Sequence, residues 1–301
     1  MRATKNSLGM RLKKSIPAYL FLLPLFAGIL IFSYYPAFSG IYHSFFEWSN
    51  SGEEKFIGLE NYINLFQDPI FLNSIPAMIK LMLPKLIISI VVPLIMAELI
   101  FAVRSKKMQY WYRVLCLLPM VAPGVVSVLL WKYIYDPSSG LAVVLGRLFG
   151  FFEANQNVDW LGDPNLTIGS IIFMGFPWIG GTAVLIYMSG LMNIGAEIRE
   201  ASLLDGASTL QRIIRIDVPL VMGQIRYFVI FGIINALQDY SVQIILTNGG
   251  PGYTTYVPGY YMFKQAFSYG NMGYASAIGT ILFVVIFIFT LLTMKFMKSK
   301  D

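Results

Sequence analysis

An all-α fold is predicted, a polytopic membrane bundle of about six transmembrane helices, and three observations predict it. Of 301 residues, 56% are hydrophobic and only 13% are charged, against about 25% charged in an ordinary soluble domain. Apolar windows of about 20 residues, the length that crosses a bilayer, recur along the whole chain. Between them lysine and arginine collect in alternating clusters, as in loops on two sides of a membrane.

The windows place spans at 16–38, 75–103, 112–135, 166–191, 221–246 and 272–296, with a charged loop at 192–220 and the whole of 1–301 as one domain. The first window follows Arg2, Lys5, Arg11, Lys13 and Lys14, like the opening of a secretory signal. Its apolar stretch is too long for one and lacks a small-residue cleavage site, so it is expected to remain as an anchor. One side of the membrane collects sixteen basic residues: those five, Arg104, Lys106, Lys107, Arg113, Arg199, Arg212, Arg215, Arg226, Lys295, Lys298 and Lys300. The other side, outer span ends included, has six: Lys55, Lys80, Lys85, Lys132, Arg147 and Lys264. The imbalance puts both termini and the 192–220 loop in the cytoplasm. Lys80 and Lys85 are expected near the outer interface, with their side chains snorkelling to water.

Pro24, Pro84, Pro93, Pro119, Pro123 and Pro177 fall inside spans. In a bundle, neighbouring helices or lumen water satisfy the backbone groups that a proline frees. Bent structural helices and a lined pathway both fit them. The lone cysteine, Cys116, lies in an apolar run and reads as a packing residue. With one histidine, His43, at the end of the first span, no metal site and no cofactor are expected.

The basic residues are dispersed between apolar spans rather than gathered in a patch, so nucleic acid is not an expected partner. No Gly-Lys dipeptide occurs, which excludes a phosphate-cradling P-loop, and HExxH and GxSxG motifs are absent. No catalytic residue is therefore expected in this chain.

Asp239 is the one acidic residue well inside a predicted span. With Asn235, Gln238 and Gln243 it forms a polar stripe on one helical face, at about 100° per residue. Two readings stand: hydrogen bonding to a polyhydroxylated solute, or hydrogen bonding between helices. Outer-loop aromatics Trp48, Trp160, Tyr253, Tyr256, Tyr260 and Tyr261 fit an interfacial belt or a sugar-stacking surface.

The charged loop contains Glu197, Arg199, Glu200, Asp205, Arg212, Arg215 and Asp217 and cannot cross lipid. Apolar Ile198, Ala201 and Leu204 recur at helical spacing, and Leu210, Ile213 and Ile214 do so after Asp205-Gly206. Two short amphipathic helices follow, with Gly206 past the end of the first and Ser208 capping the second. Their apolar faces need a covering surface, either the bundle or a partner.

Glu200-Ala201-Ser202, Asp205-Gly206-Ala207-Ser208, Gln211, Ile216 and Pro219 resemble the EAA loop of permease subunits of binding-protein-dependent ABC importers. Phe56-Ile57-Gly58-Leu59-Glu60-Asn61-Tyr62, Thr247-Asn248-Gly249-Gly250-Pro251 and Gly273-Tyr274-Ala275-Ser276-Ala277 are similar to the carbohydrate-uptake branch, the MalF/UgpA-like permeases. The resemblance runs from about 17 to 296 and implies a bacterial-type plasma (inner) membrane. Ser202 departs from the usual alanine, and Ile213 from a frequent phenylalanine.

That resemblance implies that Glu200, Ala201, Ser202, Asp205, Gly206 and Ala207 form a coupling helix seated on an ATPase. It also implies the partners: a second homologous permease in a heterodimer, two copies of a cytoplasmic ATP-binding subunit, an extracytoplasmic solute-binding protein, a carbohydrate substrate and the membrane lipid. Its rivals are an ion-coupled secondary transporter, for which only Asp239 is a candidate carboxylate, and a channel or scaffold.

Overall fold

The computed structural model describes residues 8–49, 52, 54–153 and 155–297. Of the basic residues counted for orientation, Arg2, Lys5, Lys298 and Lys300 lie outside the described residues, as do the side chains of Arg11, Lys13 and Lys14. Four described helices are long and apolar enough to cross a bilayer: Ser15–His43, Pro69–Ala102, Met222–Thr247 and Met272–Phe296. Two bent pairs raise the number to six if each is one span: Lys106–Val121 with Gly124–Ile134, bent by 85°, and Gly181–Met192 with Ala196–Leu204, bent by 76°.

The last of these helices carries Glu197, Arg199 and Glu200 and does not belong in hydrocarbon. What continues Gly181–Met192 through the apolar window is the helix Thr167–Phe173 on its other side.

The predicted third and fourth spans are thus each two helices, and the sequence explains both breaks. In the third, Pro119 lies within a tight turn, Leu118–Val121, Pro123 follows it, and the chain restarts as a helix at Gly124. A proline removes a donor and pushes the preceding residue out of the helical region. In the fourth, Gly175 and Trp178 both have positive φ, 91° and 56°. Backbone N–H of Trp178 donates to Gly175 O at 2.7 Å, and its indole Nε1 donates to Ile172 O at 3.2 Å. The irregular segment thereby satisfies part of its own polarity, as it must at membrane depth.

The second span begins at Pro69, six residues ahead of its predicted start at 75. Asp68 caps it, accepting from the N–H groups of Ile70 (2.8 Å) and Phe71 (3.4 Å), with proline in the first turn. The extension moves Lys85 to the middle of a 34-residue helix, roughly 24 Å from its start. Lys85 is therefore not the interfacial side chain that the sequence suggested.

Ahead of Asp68 lies a short hairpin, β1 Phe46–Trp48 and β2 Glu54–Phe56, antiparallel with Phe46 opposite Phe56. His43 packs against it, its Nε2 3.4 Å from Glu54 Oε1 and its ring 4.4 Å from Trp48.

Two buried clusters hold the bundle. The outer one joins Leu65, Phe71, Met78, Tyr256, Tyr260, Tyr261 and Ile278; the inner one joins Ala97, Ile100, Cys116, Val184, Tyr187 and Leu191. Tyr256, Tyr260 and Tyr261 are therefore core residues, and neither an interfacial belt nor a stacking surface accounts for them. Tyr256 and Tyr260 crowd Gly249, where φ is +84° and an added Cβ would sit 2.5 Å from the Tyr256 ring. Cys116 is buried and packs as expected; its carbonyl lies where a Cβ on Gly181 would come within 2.3 Å. The first span differs from the rest. None of its most apolar window is buried, and Phe21 and Phe32 are among its most exposed side chains.

Candidate solute cavity and charged docking loop

The loop after the fourth span folds as its residues require. Its first helix runs Ala196–Leu204 and ends in a Schellman motif: Gly206 N–H donates to Leu203 O at 3.1 Å and Ala207 N–H to Ser202 O at 3.0 Å. Gly206 takes φ +74°, which favours glycine. Ser208 then caps Thr209–Arg212 in a capping box with Gln211. Both expectations for this turn hold.

Glu200, Ala201, Asp205 and Gly206 are exposed, whereas Ala207 is half-buried and Ser202 is buried, donating to Arg199 O at 2.7 Å. The departure at Ser202 thus faces the bundle. Leu204 is 89% exposed, and Leu203, Leu210 and Ile214 are also exposed on this charged surface. Large apolar side chains grouped in this way mark an interaction surface.

Beneath the loop lies a charged network that sequence reading passed over. Arg212 Nε is 3.0 Å from Asp217 Oδ2 and Arg212 Nη2 is 3.5 Å from Glu98 Oε2, with Asp217 fully buried. Arg199 donates from Nη2 to Leu191 O at 2.7 Å and stacks its guanidinium 3.9 Å from the centre of the Phe101 ring. Burial draws the Arg199 pKa down, while the negative charge of Asp217 opposes that shift. Two carboxylates and two guanidiniums thereby tie the loop to the adjoining ends of the second and fourth spans, with Glu98 Oε1, Asp217 Oδ1 and Arg199 Nε buried and without a described hydrogen-bond partner. Burying a charge is costly unless it is paired.

Deeper in the bundle the second and fifth spans and the break before Gly181 enclose a cavity of about 430 Å³, within the usual range of small-molecule sites, about 300–1,000 Å³. Asn235, Asp239 and Gln243 line it together with Lys85, Ser89 and Trp178. Gln238 is exposed and does not line it. The single helical face expected for these four polar residues is interrupted, because the fifth span breaks at Asp239 (ψ 125°) and resumes at Ser241. Asp239 Oδ1 accepts from Ser241 N–H at 2.9 Å and from the Ser241 hydroxyl. The carboxylate caps the second half of a broken helix, a role neither sequence reading foresaw.

Gln243 is buried, and its Oε1 has no hydrogen-bond partner among the described residues. Lys85 brings a charge that insertion scales price at roughly 2.5–3.5 kcal/mol at the centre of a span. Its depth follows from the Asp68-Pro69 helix start, the sequence signal that locates it.

At the opposite end of the bundle from the 192–220 loop Asp68 is a third charged centre. Its Oδ2 accepts from the hydroxyls of Tyr261 and Tyr274, the latter at 2.8 Å, and Gln265 Nε2 reaches the Tyr261 hydroxyl at 2.6 Å. Burial alone would raise the Asp68 pKa. The two tyrosine hydroxyls and the Ile70 and Phe71 N–H groups outweigh it and hold the carboxyl below its ordinary value.

Broken spans around a mostly apolar cavity with a few polar side chains, joined to a charged loop with an uncovered apolar surface, define a multi-pass membrane transport component. The chain belongs to the family of inner membrane components of binding-protein-dependent transport systems, whose model matches residues 89–299. It is 33% identical to the probable ABC transporter permease YurN of Bacillus subtilis, over 95% of this chain and 97% of that one. It is 30% identical to the multiple sugar-binding transport system permease MsmF of Streptococcus mutans, over 90% and 91%. A chain from a bacterial ABC transporter involved in import of the acidic polysaccharide alginate superposes with a TM-score of 0.84 over 96% of this chain and 98% of that one; at 23% identity the likeness is one of fold.

Proposed function

We propose that the chain, as one permease domain, supplies half of the solute pathway of an ATP-driven carbohydrate importer and transmits force from a separate ATPase. Carbohydrate is the substrate class because relatives similar over most of the chain serve sugar uptake, among them MsmF and the arabinooligosaccharide permease AraP of Bacillus subtilis. The observation that carries the coupling reading is the exposed row Glu200, Ala201, Asp205 and Gly206 beside uncovered Leu203, Leu204 and Leu210, on a turn pinned to the bundle by Arg199 and Arg212. Two copies of a cytoplasmic ATP-binding subunit serve one such turn in each of two permeases.

The first span supports a heterodimer with a second permease, since an apolar helix unburied along its length has surface for a protein neighbour as well as lipid. Both termini then lie in the cytoplasm, and an extracytoplasmic binding protein delivers the solute from the opposite side. Asn235, Asp239 and Gln243 form the pathway contacts of this subunit; Gln238 is left out of that set because it does not line the cavity.

The test is copurification. A tagged chain expressed with its transport partners brings down the ATP-binding subunit, and Glu200→Lys or Gly206→Leu abolishes this while the permease remains in the membrane at its usual amount. Retention of the ATPase by both variants would refute the coupling assignment.

A further inference from the structure

We propose that Lys85 reads the solute together with Asp239, and that the solute they select is uncharged and polyhydroxylated. The inference rests on the pathway reading above and adds to it a residue and a ligand charge.

Lys85 lines the cavity from the second span, opposite the broken fifth span that carries Asp239. The two charges attract each other, yet among the described residues no carboxylate comes within 4 Å of the ammonium. Three N–H donors are therefore offered to the cavity. Asp239 is half engaged: Ser241 holds Oδ1 by its N–H and hydroxyl, and Oδ2 accepts from no described residue. Gln243 also lines the cavity; its Oε1 is buried, without a described partner and not exposed to the cavity.

A hydroxyl both accepts and donates. Placed between Lys85 and Asp239, it takes a hydrogen bond from the ammonium and gives one to Oδ2. A carboxylate or sulfonate would satisfy Lys85 but bring negative charge toward Asp239 in a medium that screens poorly. A cationic solute meets the same difficulty at Lys85. An uncharged diol serves both ends.

The experiment uses cells carrying the complete transport system and a defined mixture of neutral malto-, xylo-, arabino- and chito-oligosaccharides with acidic galacturonate and alginate oligosaccharides. Mass spectrometry reads what enters. Neutral members are expected to enter, and Lys85→Met is expected to slow their entry at least about tenfold, the loss of one hydrogen bond to a charged group. Copurification of the ATP-binding subunit should be unchanged.

The double variant Lys85→Met with Asp239→Asn should remain slow, because the solute has lost both ends of its bridge. If the double variant recovers wild-type entry, the two residues only neutralise each other and the inference fails. Preferential entry of acidic members into wild-type cells also overturns it. Loss of entry in Asp239→Ala with normal entry in Lys85→Met sinks this inference alone. Normal entry in both sinks the pathway reading as well.

Discussion

At the end that carries the 192–220 loop Arg212 lies 3.0 Å from Asp217 and 3.5 Å from Glu98, whereas in the cavity Lys85 and Asp239 share the lining with no contact inside 4 Å. Both regions hold opposite charges inside an apolar bundle. In the first, the charges pair with one another, with Glu98 Oε1, Asp217 Oδ1 and Arg199 Nε buried and without a described hydrogen-bond partner. In the second, donors and acceptors are left for a solute or water. Charges paired within the fold stabilise structure; charges left facing a cavity can bind. On the proposed function, that contrast separates the part of the molecule that transmits force from the part that meets cargo.

The largest effect should come from breaking the paired network. Arg212→Met strands two buried carboxylates, and removing one partner of such a pair costs about 3–5 kcal/mol. Thermal unfolding of the detergent-solubilised transporter should show a large fall in midpoint or no folded permease; a wild-type midpoint would mean that the network holds nothing together.

The centre at Asp68 provides a second paired site with a different pH signature. Asp68→Asn weakens the hydrogen bonds from Tyr261 and Tyr274 to a charge, an interaction of about 1.5–3 kcal/mol. Because the folded-state pKa lies below the ordinary 3.8, the contribution is complete well above 3.8 and is lost as pH falls through that value and then through the lower folded one. Wild-type stability should therefore decline on acidification more steeply than that of the asparagine variant. Parallel acid limbs would contradict this.

Smaller changes are expected where only local geometry is touched. Ser208→Ala removes the cap of the second loop helix and should cost about 1 kcal/mol, measured as a modest shift in the same unfolding midpoint. No shift would show that the bundle, rather than the capping box, orients that helix. Lys85→Met should lower the midpoint least of all, within about 0.5 kcal/mol of wild type, although it slows uptake. A destabilisation comparable with that of Arg212→Met would place Lys85 in a structural network and erase the distinction drawn here.

Some of this architecture is legible in the residues alone. Gly206 and Ser208 declare a helix end and a helix start by local chemistry, and the structure has both. Local signals also existed for what was passed over. Asp68-Pro69 is an N-cap followed by a first-turn proline, and it lengthens the second span enough to bring Lys85 into the cavity. Asp239 followed two residues later by Ser241 is the pattern of a side chain that turns back onto its own backbone. Set in a run as apolar as 221–246, it reads as one polar face of a continuous helix.

The breaks at Pro119–Pro123 and Gly175–Gly180 show in composition but not in consequence. Prolines mark where a helix bends, and only tertiary packing decides whether it bends or stops. The network of Glu98, Arg199, Arg212 and Asp217 had no sequence signal, because its members are up to 119 positions apart and meet only when the bundle closes.

The most direct test of the account is uptake of a labelled neutral oligosaccharide that the partner binding protein captures, into proteoliposomes holding the complete transporter. The account predicts accumulation when ATP is supplied on the side of the 192–220 loop, and none with a non-hydrolysable analogue. Accumulation without ATP, or by this chain alone, would contradict it.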